Sequence, residues 1–221
     1  MLEERRMPDW KVVDIGTKKG GALDSFRSHA DRYFGSPAVS PESCLGIDRS
    51  DAVREAIESK GYSFMVADIQ AKDFQFPASE YYTAFHILEH MQNVERSTEI
   101  LVKMAVAASK GIWLRLPSYE TDQTGSGQLS KYNLRFAWSR WKCHRSEYKI
   151  DDVVKAILTT GKMHSLRVLP KVVVTSSVNE RVVPESAPDD SSYYDPSMGP
   201  KQVAAFIPPV IAEWDIVIRF E

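Results

Sequence analysis

The chain is short of the features that announce a chemistry on their own. Only 2 of its 221 residues are cysteine, Cys44 and Cys143. There is no CxxC pair and no HExxH, so neither a disulfide framework nor a metal site is expected from spacing. No apolar run approaches the ~20 residues that span a bilayer. The start, MLEERRMPDW, has no apolar core of a signal peptide, so the expected location is the cytoplasm. No sign of charge dominates either: 28 Lys and Arg stand against 30 Asp and Glu. Without a basic field, a nucleic-acid partner is not expected. No internal repeat is visible.

What is present is ordinary globular material, 43% hydrophobic and 26% charged, enough for one well-cored domain. Strand-like runs alternate with helix-like runs, the pattern of a parallel sheet with helices on both faces. Trp10–Ile15 reads as the first strand and Cys44–Asp48 as the second. A third runs through "YSFMVADI" to Asp68, a fourth through "YYTAFHIL" and a fifth through "IWLRLPS". Between them, Ala22, Leu23 and Phe26 mark one helix face. Ser50 or Asp51 caps a second helix, with Ala52, Val53, Ala56 and Ile57 inward, stopping at Gly61. Ile100, Leu101, Met104, Ala105 and Ala108 mark the stripe of a third, over Asn93–Ser109.

The second half is less regular. Thr121–Lys131 reads as a loop. "LRFAWSRWKCHRSEY" is aromatic and basic, a short helix or a lid. Asp151–Gly161 reads as a helix with Val153, Val154, Ile157 and Leu158 inward. "SLRVLPKVVVTSS" and "EWDIVIRFE" read as strands flanking an irregular excursion over 184–200, and pair antiparallel at the sheet edge. The expected fold is therefore α/β, Rossmann-like, with a seven-stranded mostly parallel sheet and one antiparallel edge strand. It is read as a single domain over 1–221: a cofactor-binding half over 10–118 and a substrate-side half over 119–221.

Asp14, Asp48 and Asp68 each fall at or near the carboxyl end of an apolar strand, where open α/β sheets bind ligands. Gly16 and Gly20 allow close backbone approach and free the first amides of a helix. A dinucleotide loop fits poorly. Lys18 stands where the second glycine of G-x-G-x-x-G belongs, and 32 residues separate Gly16 from Asp48, against about 20 in that fingerprint.

Four stretches in order, "VVDIGTKKGG", "LGIDRS", "VADI" and "AFHILEHM", resemble the motifs of class I S-adenosylmethionine (SAM)-dependent methyltransferases, the last resembling an H-x-L-E-H subgroup. The resemblance covers about residues 10–118. It implies S-adenosyl-L-methionine as cofactor and S-adenosyl-L-homocysteine (SAH) as product. It assigns the cofactor to Asp14, Gly16, Thr17 and Gly20 in the first motif, Asp48 and Arg49 in the second, Asp68 and Ile69 in the third, and Phe85 and His86 after the fourth strand. Asp48 is the ribose acid, and Asp68 with Ile69 meets the adenine. Lys18 replaces the middle glycine, which either narrows the loop or brings a cation near the methionine carboxylate. A lid would come from Arg135–Tyr148.

Candidates for catalysis are Glu89, His90 and His144, since imidazole and carboxylate are the usual proton acceptors. Each has a plain alternative: His90 and Glu89 as cofactor-shaping residues, His144 as a surface histidine. Trp113, Trp138, Trp141 and Trp214 read as core or interface residues, with Trp138 and Trp141 also able to stack on a flat substrate. Arg135, Arg140 and Arg145 read as a solvated face before an anion clamp. Cys143 has no nucleophile motif around it. The acceptor is expected to be a small molecule with an O or N nucleophile, and the Tyr193–Tyr194 region suits a homodimer contact or a substrate lid. Two other classes stay open: a methyltransferase-like scaffold without activity, and an NAD-dependent short dehydrogenase.

Overall fold

The computed structural model describes residues 10–119 and 127–221. The charged start and part of the expected 121–131 loop lie outside these residues.

Six residues of β1 (Trp10–Ile15) run through the middle of the molecule, with Val12, Val13 and Ile15 fully buried. Their side chains alternate between two cores, as period-2 geometry requires of a strand covered on both faces. Val13 and Ile15 join Leu45 and Ile47 of β2 (Cys44–Asp48) under α3 (Val94–Ala107) and α5 (Ile150–Leu158). Val12 and Cys44 face the other way, against Leu23, Phe26 and Ala30 of α1 (Gly21–Phe34). That helix begins and ends on left-handed glycines, Gly20 and Gly35. The Gly35 amide closes on Ala30 and Asp31 carbonyls, which satisfies the last turn.

β3 (Ser63–Val66), β4 (Ser79–Phe85) and β5 (Ala108–Pro117) extend the sheet with parallel pairing. The long strands β7 (Met163–Ser176) and β9 (Ala205–Phe220) complete it, in the order β3-β2-β1-β4-β5-β9-β7. β9 is antiparallel to both neighbours. The expected antiparallel pair therefore forms the sheet edge, with the reversed strand one place in. Chain order reverses between β1 and β4, where Asp14 lies beside Thr83. A crevice opens at that point because the loops leaving the two strands go to opposite sides.

Beyond Pro117↔Glu213, β9 continues paired with β7 alone, to Ser176↔Ala205. Val174, Phe206 and Val210 from this extension pack with Leu134 and Phe136 of β6 (Leu134–Phe136) and Val182 of β8 (Val182–Pro184), which form a separate two-stranded sheet.

Several local expectations are corrected. The second helix is a single turn at Arg54–Glu58 (α2) after a 3-10 turn, capped by Ser50 through the Ala52 amide. Only Ile57 is buried there; Ala52 is exposed. The third strand stops at Val66, two residues before Asp68, and the fourth stops at Phe85 because His86 adopts φ 54°, which no strand can continue. Gly127–Lys131 is a helical turn (α4) rather than loop. It is anchored by buried Leu129 and by Gln128, which bonds the Pro208 carbonyl and the Ile207 amide. Leu158 of α5 is 57% exposed, and Ala156 takes the inward place. Arg135 is not on a solvated face. It is buried and donates to the carbonyls of Phe136, Ala137, Ala187 and Pro188, tying β6 to the excursion.

Gly111 marks the tightest seam of the sheet. A Cβ there would meet the Ile218 backbone oxygen and stand 2.8 Å from the Phe34 ring. Gly111→Ala is expected to cost about 1–3 kcal/mol, the range for overpacking a rigid site, measured by urea unfolding. Gly161→Ala, with open space around its Cβ, should show only the cost of its positive φ.

Candidate functional site

Two cavities of about 540 and 450 Å³ open at the carboxyl ends of β1, β2 and β4. Both are lined by Gly16, Lys18 and His86, so they meet at the glycine turn. Each lies in the ~300–1,000 Å³ range of small-molecule sites.

The turn is shaped by sterics. Gly16 has φ 68°, and a Cβ would stand 2.6 Å from Ile87 Cδ1. Lys18 keeps a left-handed φ of 47° at the position where a glycine was expected, a strained choice for a residue with a Cβ. The loop is thus not narrowed; it holds a glycine-like path with a cation at the junction of the cavities. Thr17 is buried, with its methyl against Gly46. Gly20 lies on the far side, where a Cβ would meet Ile57 and Tyr62. Its part is to start α1, and it lines neither cavity.

Asp14 lines the smaller cavity and is almost wholly buried. Thr83 donates to its Oδ1 at 2.7 Å, while Oδ2 is buried without a hydrogen bond among the described residues. Burial pushes its pKa up to about 7, against the Thr83 bond and the nearby Thr17 hydroxyl, which makes no hydrogen bond of good geometry with it, and the Asp48 charge adds to the push. A cation placed beside this buried oxygen would favour the ionised acid, offsetting the cost of its burial.

Asp48 lines the larger cavity at the end of β2. Its oxygens accept the Lys18 and Ser50 amides at 3.2 and 3.0 Å. These bonds orient the carboxylate and leave lone pairs for a diol. Arg49, Asp68 and Ile69 line the same cavity. Asp68 is held by the Gln70 amide at 2.9 Å, and buried Ile69 gives an apolar wall. Phe85 lines the smaller cavity under the Arg115 guanidinium, 4.1 Å from its ring centre. Arg115 is paired with buried Asp215 through Nε and Nη2.

The segment 86–90 organises the rest. Leu88–His90 is one 3-10 turn. Glu89 is fully buried, and no hydrogen bond of good geometry reaches its carboxylate among the described residues. Its neighbour is His86, with Nδ1 3.3 Å away, while His86 Nε2 faces Glu213 at 3.7 Å. Burial pulls the His86 pKa down, but Glu213 and Glu89 outweigh it and hold it at about 9. Burial likewise raises Glu213, and His86 and Arg181 overcome it, leaving about 2. The Glu89 carbonyl accepts the Arg145 and Ser146 amides, and Ser97 bonds both the Leu88 carbonyl and the Ser146 hydroxyl. The 143–146 segment is thereby docked on the 86–90 turn.

Of the three catalytic candidates, His90 lines the larger cavity, as do Cys143 and Arg145. His144 packs against His90, with ring centres 4.8 Å apart, and burial pushes its pKa down to about 4. Glu89 does not line either cavity; its side chain is shut behind His86. Trp138 stacks on Phe136 and the Trp141 indole donates to the Ser191 carbonyl, so both serve the second half's packing. Of the expected lid over 135–148, the cavity is lined by Cys143 and Arg145. Ile87, Met91, Gln92 and Arg115 were not anticipated as lining residues. For the first three, their place just past the fourth strand was the available signal.

No protein-family model matches the chain, and no curated protein matches it in sequence. Solved structures do match. A SAM-dependent methyltransferase from Archaeoglobus fulgidus superposes with TM-score 0.58 at 11% identity, over 97% of this chain and 87% of that one. Magnesium protoporphyrin IX methyltransferase from Synechocystis, solved with bound SAH, gives 0.52 at 13% identity, over 97% and 75%. An O-methyltransferase family protein from Burkholderia thailandensis gives 0.53 at 10% identity; the chain matches about half of its length, 51%. The fold is that of the SAM-dependent methyltransferases. On this methyltransferase fold the four motif stretches fall at the ends of β1, β2, β3 and β4, around the two cavities. No helix of the described residues is long and apolar enough to cross a membrane.

The His86 pair has a pH signature. A histidine raised to about 9 in the folded chain contributes stability that is complete below its unfolded pKa, about 6.5. That contribution is lost as pH rises through 9. Thermal melts should therefore fall between pH 6.5 and 9, and His86→Gln should flatten that slope while lowering stability at pH 6. An unchanged slope in the variant would place the transition elsewhere.

Proposed function

We propose that the chain is a SAM-dependent methyltransferase acting on a small-molecule acceptor with an O or N nucleophile. The observation that carries the reading is the pairing of two acids across the glycine turn. Asp48 presents an oriented carboxylate in one cavity, and Asp14 presents in the adjoining one a buried oxygen that receives no hydrogen bond of good geometry among the described residues. A nucleoside with a diol at one end and an ammonium at the other matches that spacing of needs. The fold likeness supports the same reading.

In this reading Asp48 holds the ribose hydroxyls, and Arg49, Asp68 and Ile69 surround the adenine. Asp14 takes the amino group, with Lys18 beside the carboxylate. Gly16, Thr17, Phe85 and His86 shape the passage between the cavities; Gly20 supports the turn from behind. The bound cofactor supplies an electrophilic methyl on a sulfonium. The protein's part is to align the acceptor with it and to exclude water. His90 is the candidate proton acceptor that lines the cavity. His144, with its pKa near 4, is a poor base at neutral pH, and the enclosed Glu89 keeps the 86–90 turn in place.

Calorimetry with SAH, with NADH as control, tests this. Micromolar SAH binding and no NADH binding are expected. Asp48→Ala should weaken SAH about 100-fold, since charge-assisted hydrogen bonds contribute about 1.5–3 kcal/mol each. Binding of NADH alone, or undiminished SAH binding by the variant, would overturn the assignment.

The Asp14 reading predicts a pH dependence of its own. The ammonium needs the ionised acid, and the free acid titrates at about 7. SAH affinity should be level above pH 8 and fall below 7, approaching tenfold per pH unit. Asp14→Asn should bind weakly with no such slope.

A further inference from the structure

Among the described residues, one cluster can hold a metal ion: a ring nitrogen of His90, a ring nitrogen of His144 and the Cys143 thiol lie within 4.8 Å of one another. We propose that these three side chains form a site for a borderline-soft transition-metal dication of the Zn²⁺ type, with the remaining coordination position open to the larger cavity.

The donor set carries the choice of metal. Two imidazoles and a thiolate suit zinc-like ions and disfavour Mg²⁺ or Ca²⁺, which seek oxygen. Three protein ligands plus one exchangeable position is the arrangement of reactive zinc sites rather than of closed structural ones. His90 and Cys143 both line the cavity, so that position faces its contents.

The outer bonds of the two rings are already in place. The His90 Nδ1 lies 3.1 Å from the Cys143 carbonyl. A carbonyl only accepts, so the neutral ring carries its proton on Nδ1 and keeps the Nε2 lone pair for a ligand. The His144 Nδ1 lies 2.8 Å from the Tyr119 hydroxyl; with the ring as donor, its Nε2 is free in the same way. Metal-binding histidines are held by such partners on the second nitrogen. The backbone is equally prepared. The Glu89 carbonyl, between His90 and the 145–146 amides, pins the Cys143–His144 segment against the 86–90 turn. In a tetrahedral site the donor atoms stand about 3.3–3.6 Å apart, from Zn–N near 2.0–2.1 Å and Zn–S near 2.3 Å. Closing from at most 4.8 Å asks for small side-chain rotations, and Cys143 is exposed.

A metal here occupies the lone pair that would make His90 a base, so the two roles exclude each other. Metal binding itself does not rest on the methyl-transfer reading, and it is measured without cofactor.

The test is a titration of the reduced, chelator-treated full chain with Co²⁺, followed by absorption, and then competition with Zn²⁺. One equivalent of Co²⁺ is expected. It should show a sulfur-to-cobalt charge-transfer band and the intense visible bands of a four-coordinate ion, all displaced by Zn²⁺. Cys143→Ser should abolish the charge-transfer band, and His90→Gln or His144→Gln should each weaken binding at least tenfold. Tyr119→Phe, which removes only the outer partner, should weaken it by about 10–100-fold. Cys44→Ala should leave the band intact, because Cys44 is buried in another core. Absence of stoichiometric binding, or a band that survives Cys143→Ser, overturns the proposal. Failure of SAH to bind would leave it standing.

Discussion

A carboxylate with no exposure and no hydrogen bond of good geometry must borrow its stability from a neighbouring charge. Among the described residues Glu89 is that group, and His86 is the neighbour, 3.3 Å away. Breaking such a pair from one side is far more costly than the pair's net contribution, because the partner is left charged in a poor solvent. The constraint fixes the 86–90 turn, and the site hangs on that turn. It brings His86 to the junction of the cavities, sets His90 in the larger one, and offers the Glu89 carbonyl to the 145–146 amides. The left-handed φ of His86 is the local strain that this arrangement sustains.

The two halves of the chain meet at this point for a topological reason. The crevice lies where the strand order reverses, between β1 and β4. Elements from the first half make its floor. The segment after β6 reaches back over it and is held by Ser97, Ser146 and the Glu89 carbonyl. The remainder of the second half does different work: buried Arg135 and the stacked Phe136–Trp138 pair bind the excursion to the β7–β9 extension. The fold is shared at 10–13% identity with proteins as unlike as a magnesium protoporphyrin IX methyltransferase and an O-methyltransferase family protein, and a shared fold does not fix what is bound on it.

Local patterns were a good guide wherever burial and periodicity agreed. β1 and β2 have the bounds expected, and the stripes of α1 and α3 are the buried faces, except that Ala108, expected on the third helix, is the first residue of β5, which starts four residues before Ile112. The second helix misled because Ala52, Val53 and Ala56 are small or lie on a 3-10 turn and need no core. β8 was missed because three residues carry no readable period, and its partner β6 sits in a stretch whose charge hid a strand. Arg135 illustrates the same difficulty: an arginine among bases looks solvated until carbonyls from 50 residues away surround it.

The order of apolar strands, the glycine turn and the acids at strand ends are properties of short windows. The sequence by itself therefore determined a mostly parallel sheet and the places of Asp14, Asp48 and Asp68 at or just past its strand ends; the strand order, and with it the switch point, was decided by the tertiary structure. Which acid is desolvated, and which is oriented by amides, depends on groups 30 to 69 residues away, such as Lys18 for Asp48 and Thr83 for Asp14. The approach of His90 to Cys143 and His144 likewise spans more than 50 residues of chain. No spacing rule reaches that far, since it is the packing of one loop on one turn that closes the distance.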